Sequence, residues 1–396
     1  MKSNENLGVY LWLKYIVIIA FLPKYMQMFF ICILLFYLIY KNNKKISINK
    51  TMVPFCLYSI IHIISIFFNY SFGDDISRVM AAINTAVLWM IGSIVFSIIL
   101  KCEINERKVN KIMFYNLMFI IILSLIALFL KDILFKNISI GNRQLIGADW
   151  IYEEKTYRFL GFFEYSNLVV LFTILIFPFA MKYVSITYNR QFQLIFCILS
   201  LIPTFLTNSR AGIILISLLI FSTIPKILSL SKKSNYIIII FLVFFFFFFM
   251  IFNFNTLLEK FLLLINSREN STSMRMKIYS ESINITLNKN IFIGCGIKEY
   301  LSGYPLGSHS TYIGLFYKVG ILGCFIILYG IYQLVTFIIS SIKRENSYFL
   351  MSFLCLLVML SVEDLDGTNW YIIFFFCMIS IFIKTHKFTP DKKNDF

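Results

Sequence analysis

The stretch RQFQLIFCILSLIPTFLTNSRAGIILISLLIFSTIPK, residues 190–226, decides the fold class. Two apolar runs of about 18 residues, each long enough to cross a bilayer as a helix, flank the polar link Thr207-Asn208-Ser209-Arg210-Ala211-Gly212. A soluble domain would break such runs with charged faces. Here the one cation between Arg190 and Lys226 sits in the turn. The pattern is a pair of membrane helices joined by a tight polar turn, and the arginine in that turn needs a reason, because a cation at membrane depth is costly.

Working outward, the same texture covers the chain. Hydrophobic residues make up 59% of 396, and the mean hydropathy is +0.80. The apolar runs predict helices at 7–22, 25–40, 52–68, 79–100, 112–130, 165–184, 191–208, 210–229, 235–254, 310–340, 347–362 and 369–384. The expected fold is therefore all-α: one polytopic integral membrane domain over residues 1–396 with about twelve transmembrane helices. The run Val9 to Leu22 carries Lys14 and no small-residue cleavage site, and is read as a retained helix rather than a signal peptide. The run 310–340 is long enough to include a turn outside the membrane or a steep tilt.

Charge sets the orientation. Lysines and arginines follow the even-numbered spans, at Lys41 to Lys50, Lys101 to Lys111, Lys182 and Arg190, Lys226 to Lys233, Lys343 and Arg344, and Lys384 to Lys393. The positive-inside rule then places these segments and both termini in the cytoplasm. The alternate loops, including 131–164 and a large loop at 255–309, face outward and are mixed or acidic, with Asp74, Asp75, Glu363, Asp364 and Asp366 among them. The net charge of +16 is spread over short loops, which excludes a nucleic-acid partner. Six of the eight cysteines lie in apolar spans, Cys102 in a basic loop, and Cys295 alone is expected to face outward, so no oxidised pair is expected.

Several chemistry-bearing residues collect on the predicted outer face. Arg158 precedes span six in Arg158-Phe-Leu-Gly161. Arg210 sits beside Asn208 and Ser209 at the first turn of span eight, whose N–H groups would favour an anion. Snorkelling accounts for Arg210 alone, but its planar fork also matches phosphate oxygens, with Ala211-Gly212 leaving room for a ligand. Arg275 and Tyr279 are four apart in a short amphipathic helix that Ser271 or Ser273 would cap. His309 is the one imidazole on that face, since His62 falls within span three and His386 in the tail. It opens span ten together with Tyr312, after the turn-forming Gly294 and Gly296, and is the side chain best suited to accept a proton near neutral pH. The outward loops are read as offering no acidic metal motif, so neither a metal nor a cofactor is expected.

Taken together, Arg158-x-x-Gly161-x-Phe163, Asn208-Ser209-Arg210-Ala211-Gly212, Arg275 in a large loop, Gly294-x-Gly296 and Ser308-His309-Ser310-x-Tyr312 resemble the superfamily of O-antigen ligases and Wzy-type polysaccharide polymerases. The resemblance covers roughly residues 155–340. It departs from the family at Ser166-Asn167 and His309-Ser310, where Pro-Asn and His-Asn are frequent. It implies a GT-C-like, metal-independent inverting glycosyltransferase of the bacterial cytoplasmic membrane. Its partners would be a polyprenyl (undecaprenyl) diphosphate-linked oligosaccharide, the growing glycan chain, the lipid bilayer and a chain-length regulator. His309, Arg210 and Arg275 would be catalytic. Arg158, Asn208, Ser209, Tyr279 and Tyr312 would bind substrate.

A polymerase of repeat units is the favoured expectation, with a ligase to a lipid A core or another surface acceptor as the alternative. A flippase or other transporter is a third reading from a different class. It fits less well, because the charges lie at one face and no internal repeat is evident.

Overall fold

The computed structural model describes residues 6–42, 48–71, 75–134, 138–140, 143–151, 154–228, 269–301, 303–341 and 347–387. The expected span 235–254 and residues 255–268 of the large loop lie outside the described residues.

The chain is mostly helical. Two short helices, α1 (Leu7–Lys14) and α2 (Ile16–Phe21), precede α3 (Lys24–Lys41), α4 (Val53–Asn69), α5 (Ile76–Ile99) and α6 (Glu106–Leu134). After an extramembrane loop come α7 (Ser166–Thr187), α8 (Arg190–Leu206) and α9 (Arg210–Ile227). The described part then resumes with α10 (Glu269–Lys289), α11 (Thr311–Ser341), α12 (Ser347–Met359) and α13 (Asn369–Lys387). Seven of these helices are long and apolar enough to cross a membrane, and three more are apolar but shorter. The expected span 7–22 is not one helix: it breaks at Tyr15.

The all-α expectation needs one correction. Three two-stranded antiparallel hairpins occur among the described residues, all outside the spans: β1 (Ser139–Ile140) with β2 (Arg143–Gln144), β3 (Ile146–Ile151) with β4 (Glu154–Phe159), and β5 (Tyr300–Leu301) with β6 (Tyr304–Pro305). A long excursion from a helix must still satisfy its backbone donors and acceptors, and a local hairpin does so without a partner element. The β3–β4 register pairs Gly147 with Arg158 and Ala148 with Tyr157, which holds Arg158 next to the start of α7.

Two helices form the centre. α7 is buried on nearly every face from Ser166 to Met181 and packs against α6, α8, α9 and α12, while α13 is buried from Trp370 to Ile383 and packs against α5 and α3. A helix apolar all round belongs inside a bundle. The two are joined by aromatic contacts, Phe163 stacking on Trp370 at 5.4 Å and Phe172 on Phe374 at 5.3 Å.

α11 is interrupted at Gly320, which has φ 60° and ψ −161°. The segment 291–296 fills the break. The N–H groups of Cys295 and Gly296 donate to the carbonyls of Tyr317 and Lys318 (2.7 and 3.0 Å), and those of Ile321 and Leu322 donate to Ile291 and Phe292 (2.9 and 3.2 Å). A Cβ on Gly320 would come within 2.5 Å of the Phe292 backbone, so the close approach requires glycine. The expected turn at Gly294 and Gly296 is thus a plug in a broken helix. Cys295, expected to face outward, is 1% exposed and packs with Leu306 and Tyr317.

Candidate functional site

Two groups of the expected residues form around the first turn of α7. The first surrounds β4. Arg158 donates from Nη1 to Ser166 Oγ (3.3 Å), at the first residue of α7. Asn208, with φ 55°, turns the chain between α8 and α9 and donates from Nδ2 to the Tyr157 carbonyl (3.2 Å). This ties the α8–α9 turn, and Arg210 at the first position of α9, to the strand that carries Arg158. Ser209 caps α9, its Oγ accepting from Gly212 N–H at 3.2 Å. The glycine at 212 serves packing rather than ligand access: a Cβ there would meet Val170 of α7 at 2.7 Å.

The second group lies on α10 and at the mouth of α11. Tyr279 donates its hydroxyl to the His309 carbonyl at 2.7 Å. That bond holds His309 in the left-handed region, at φ 61°, which is uncommon for a residue with a side chain. Arg275 reaches the Val362 carbonyl at 3.5 Å. Burial, and then the charge of Arg275, lower the His309 pKa below its ordinary value of 6.5. The imidazole is therefore neutral at neutral pH, the form a proton acceptor needs and a phosphate clamp does not. Ser271 and Ser273 do not precede the helix as caps, since α10 already includes Glu269. The Tyr312 hydroxyl donates to the Leu357 carbonyl (2.9 Å), which joins α11 to α12.

Both groups meet a loop that the reading of the sequence left out of the site, residues 362–366. Glu363 is 7% exposed. One of its oxygens accepts a short hydrogen bond from Asn167 Nδ2, in the first turn of α7, and its carbonyl accepts from both N–H and Oγ1 of Thr311 (2.9 and 2.7 Å). Burial pushes the Glu363 carboxyl up to about 7, against the opposing pull of Asn167 and Arg275. The Tyr165 hydroxyl donates to the Asp364 carbonyl at 3.0 Å.

The triplet Asp364-Leu365-Asp366 has an Asp-x-Asp spacing that the sequence reading passes over. Its carboxylates are engaged by lysines. Lys298 Nζ lies 2.5 Å from Asp364, and Lys318 pairs with Asp366, which also accepts from Trp89 Nε1 at 3.0 Å. The signal available in the sequence was the acidity of this loop beside an uncharged Asn167. Nothing in it showed that the loop folds back onto α7.

Around this centre, neighbouring polar groups fix the scaffold. Glu164 accepts from Gln27 (2.9 Å), Arg143 (2.7 Å) and Trp370 (3.3 Å), which draws α3, the β1–β2 hairpin and α13 together. His62, within α4, bonds the Gly296 carbonyl at 3.1 Å, and Asn69 donates to the Gly294 carbonyl at 3.0 Å. They hold the plug in the broken α11 from the opposite side.

What the arrangement can do follows from its parts. Arg158, Arg210 and Arg275 lie on three separate elements, β4, α9 and α10, at the end of the bundle where α7, α9 and α11 begin. A neutral imidazole and a carboxyl poised near neutrality sit beside the third of them. No curated protein matches the chain. Residues 195–328, which hold Arg210, Arg275, Tyr279 and His309, match the family described as O-antigen ligase. The resemblance read from the sequence is thus supported over residues 195–328 of this multi-pass membrane protein, which are similar to the O-antigen ligase and Wzy superfamily.

Proposed function

We propose that the protein is a polymerase that joins polyprenyl-diphosphate-linked oligosaccharide repeat units at the outer leaflet of the cytoplasmic membrane. The observation that carries this reading is the gathering of Arg158, Arg275, His309 and Glu363 around one helix start, through Ser166, Asn167 and the 362–366 loop. A lipid diphosphate leaving group develops charge as the sugar departs, and preorganised cations in a partly desolvated place stabilise that charge. Arg210 and Arg275 bind the diphosphate, with Arg158 contributing at the edge. The attacking sugar hydroxyl must lose its proton as its oxygen bonds to C1, and neutral His309 accepts it. Attack opposite the leaving group inverts the anomeric carbon, and no divalent ion is needed when guanidinium groups carry the charge.

The twelve-span count, with both termini and the basic loops in the cytoplasm, belongs to this reading, because an outer-leaflet donor requires Arg275 and His309 to face outward. Asn208, Ser209, Tyr279 and Tyr312 shape the site through the backbone bonds described above. Transfer to a lipid A core or another surface acceptor is the second reading, since residues 195–328 are similar to the family described as O-antigen ligase.

Purified protein incubated with a defined lipid-linked repeat unit, without ATP, is expected to lengthen it. Product that stays one repeat long with that donor alone, but is transferred to added core oligosaccharide, would replace the polymerase by the ligase. Movement of intact donor across vesicles without any glycosidic bond formed would replace both by a transporter.

A further inference from the structure

We propose that Thr311 is a positioning residue of this site, fixing His309 relative to Arg275 by pinning the mouth of α11 to the 360–365 loop. The inference rests on the transferase reading above and deepens it, because the group being held is the base of that reading.

Thr311 is the first residue of α11 and is 2% exposed. The first N–H groups of a helix have no partner within it. That of Thr311 is shared between the carbonyls of Leu360 and Glu363, at 2.9 Å each. Its hydroxyl works in both directions, donating to the Glu363 carbonyl at 2.7 Å and accepting from the Leu365 N–H at 3.1 Å. Other buried helix hydroxyls behave differently: Ser59, Ser93 and Ser200 each bond back to the carbonyl four residues earlier in their own helix. Thr311 instead reaches across 52 and 54 residues of chain. A β-branched side chain has few rotamers, which keeps the hydroxyl aimed at both partners. A hydroxyl also supplies a donor and an acceptor from one small atom, which an apolar side chain of the same shape cannot do.

What Thr311 joins gives the pin its role. On the loop side, Arg275 reaches the Val362 carbonyl, one residue before the carbonyl that Thr311 grips. The Glu363 side chain closes the same loop onto α7, its carboxylate accepting from Asn167 Nδ2 and from the Asp364 N–H. On the other side, His309 lies two positions before Thr311, and the bond from the Gly314 N–H to the Ser310 carbonyl stiffens the step between them. His309 is itself at φ 61°, a conformation that a residue with a side chain keeps only where its surroundings over-determine it. Those surroundings are Tyr279 on its carbonyl, the Gly307 N–H bonded to Ser282 Oγ (2.8 Å), and Thr311. Loss of the Thr311 hydroxyl therefore loosens the base while leaving the arginines in place.

The test is the steady-state kinetics of Thr311 variants on a purified polyprenyl-diphosphate-linked repeat unit, expressed per folded protein. Thr311→Val keeps the shape and loses both hydroxyl bonds. It should lose saturated turnover on the order of 10²-fold, the size of a misplacement of about 1 Å, with KM for the repeat unit unchanged. Thr311→Ser should keep turnover close to wild type, and Thr311→Cys, a weak donor and acceptor, should fall between the two. Ser380→Ala removes a buried bond from α13 to the Phe96 carbonyl (2.7 Å), well along α13 from the loop, and should lower the unfolding midpoint with turnover kept. A turnover loss there as deep as that of Thr311→Val would trace both to a loosened bundle and overturn the positioning role. Full turnover in Thr311→Val, or a raised KM with saturated turnover kept, would overturn it while leaving the transferase reading intact. Should Thr311→Val fail to fold, equal turnover in Thr311→Cys and Thr311→Ser overturns it instead. A wild type that forms no glycosidic bond would remove the transferase reading, and this inference with it.

Discussion

The two ends of the helix bundle are built on different principles. At the end where α7, α9, α11 and α13 begin, charged side chains are buried and bonded over long stretches of sequence. Glu164 draws in Gln27, Arg143 and Trp370; Asp366 draws in Lys318 and Trp89; Asp364 draws in Lys298. At the opposite end, charges lie on helix termini, and the bonds among the described residues include Lys182 with Glu106, Lys384 with the Leu100 carbonyl and Asn6 with Cys102. The basic end needs only to stay in water and set orientation. The other end must hold cations and acids in fixed positions where water is scarce, and a site for a diphosphate requires that. The contrast teaches that burial of charge, rather than its amount, marks the working end.

The largest effects should come from the working end. His309→Ala is expected to lose about 10²–10⁴-fold of saturated turnover, the usual span of a general base, while keeping donor affinity. Weakened donor binding with saturated turnover kept would make His309 a phosphate ligand and recast the site. Arg210→Lys and Arg275→Lys should each fall well below what retained charge suggests, because lysine loses the two-pronged contact to phosphate. Arg158→Lys should be milder. Near-normal polymer from Arg210→Ala at equal protein level would return that residue to an interfacial anchor.

A second effect separates the ends by stability. Lys318→Met strands Asp366, both partners being 3% exposed, and should cost about 3–5 kcal/mol, read as a lowered unfolding midpoint in detergent. Lys318→Met with Asp366→Leu should recover most of it. Failure of the double variant to recover would mean that the pair does more than satisfy itself. Smaller again, Ser209→Ala removes the α9 cap and should cost about 1 kcal/mol. The smallest change should be at the opposite end, where Lys182→Ala is expected to cost less than about 1 kcal/mol and to leave turnover unchanged. A turnover loss there as deep as that of His309→Ala would erase the comparison.

Much of the fold is legible in the sequence because hydrophobic length is a local property. The helices starting at Ser166, Arg190, Arg210 and Thr311 fall within a residue of the positions that the apolar runs give. The hairpins were not legible, because two to six residues of pairing leave no period against a loop background. The break at Tyr15 escaped because Lys14, the one charge beside it, is equally compatible with a continuous helix. Within the site, Arg210, Arg275 and His309 stand out by being unusual where they are. Glu363 does not: an acid in an outer loop is ordinary until Asn167, Thr311 and Arg275 close over its loop, and those contacts span 196, 52 and 87 residues of chain. Asn208 and Ser209 drew attention by position, and the structure shows what the position demands of them, a left-handed turn and a cap.

The plug in α11 has a consequence for the way the chain is made. Four backbone groups of α11 around Gly320 find their partners in residues 291–296 and not in the helix itself. Left without those partners in hydrocarbon, each would cost several kcal/mol. The two halves of α11 therefore cannot settle as an independent spanning helix at the moment of insertion. They become at home in the lipid only once the plug is seated, with His62 and Asn69 of α4 waiting to hold it. Because α4 and the plug are both synthesised before α11, the order of translation supplies the receptacle before the piece that needs it. A chain cut between residues 296 and 311 and expressed as two fragments should insert its first part unaided, while the second depends on the first being already present.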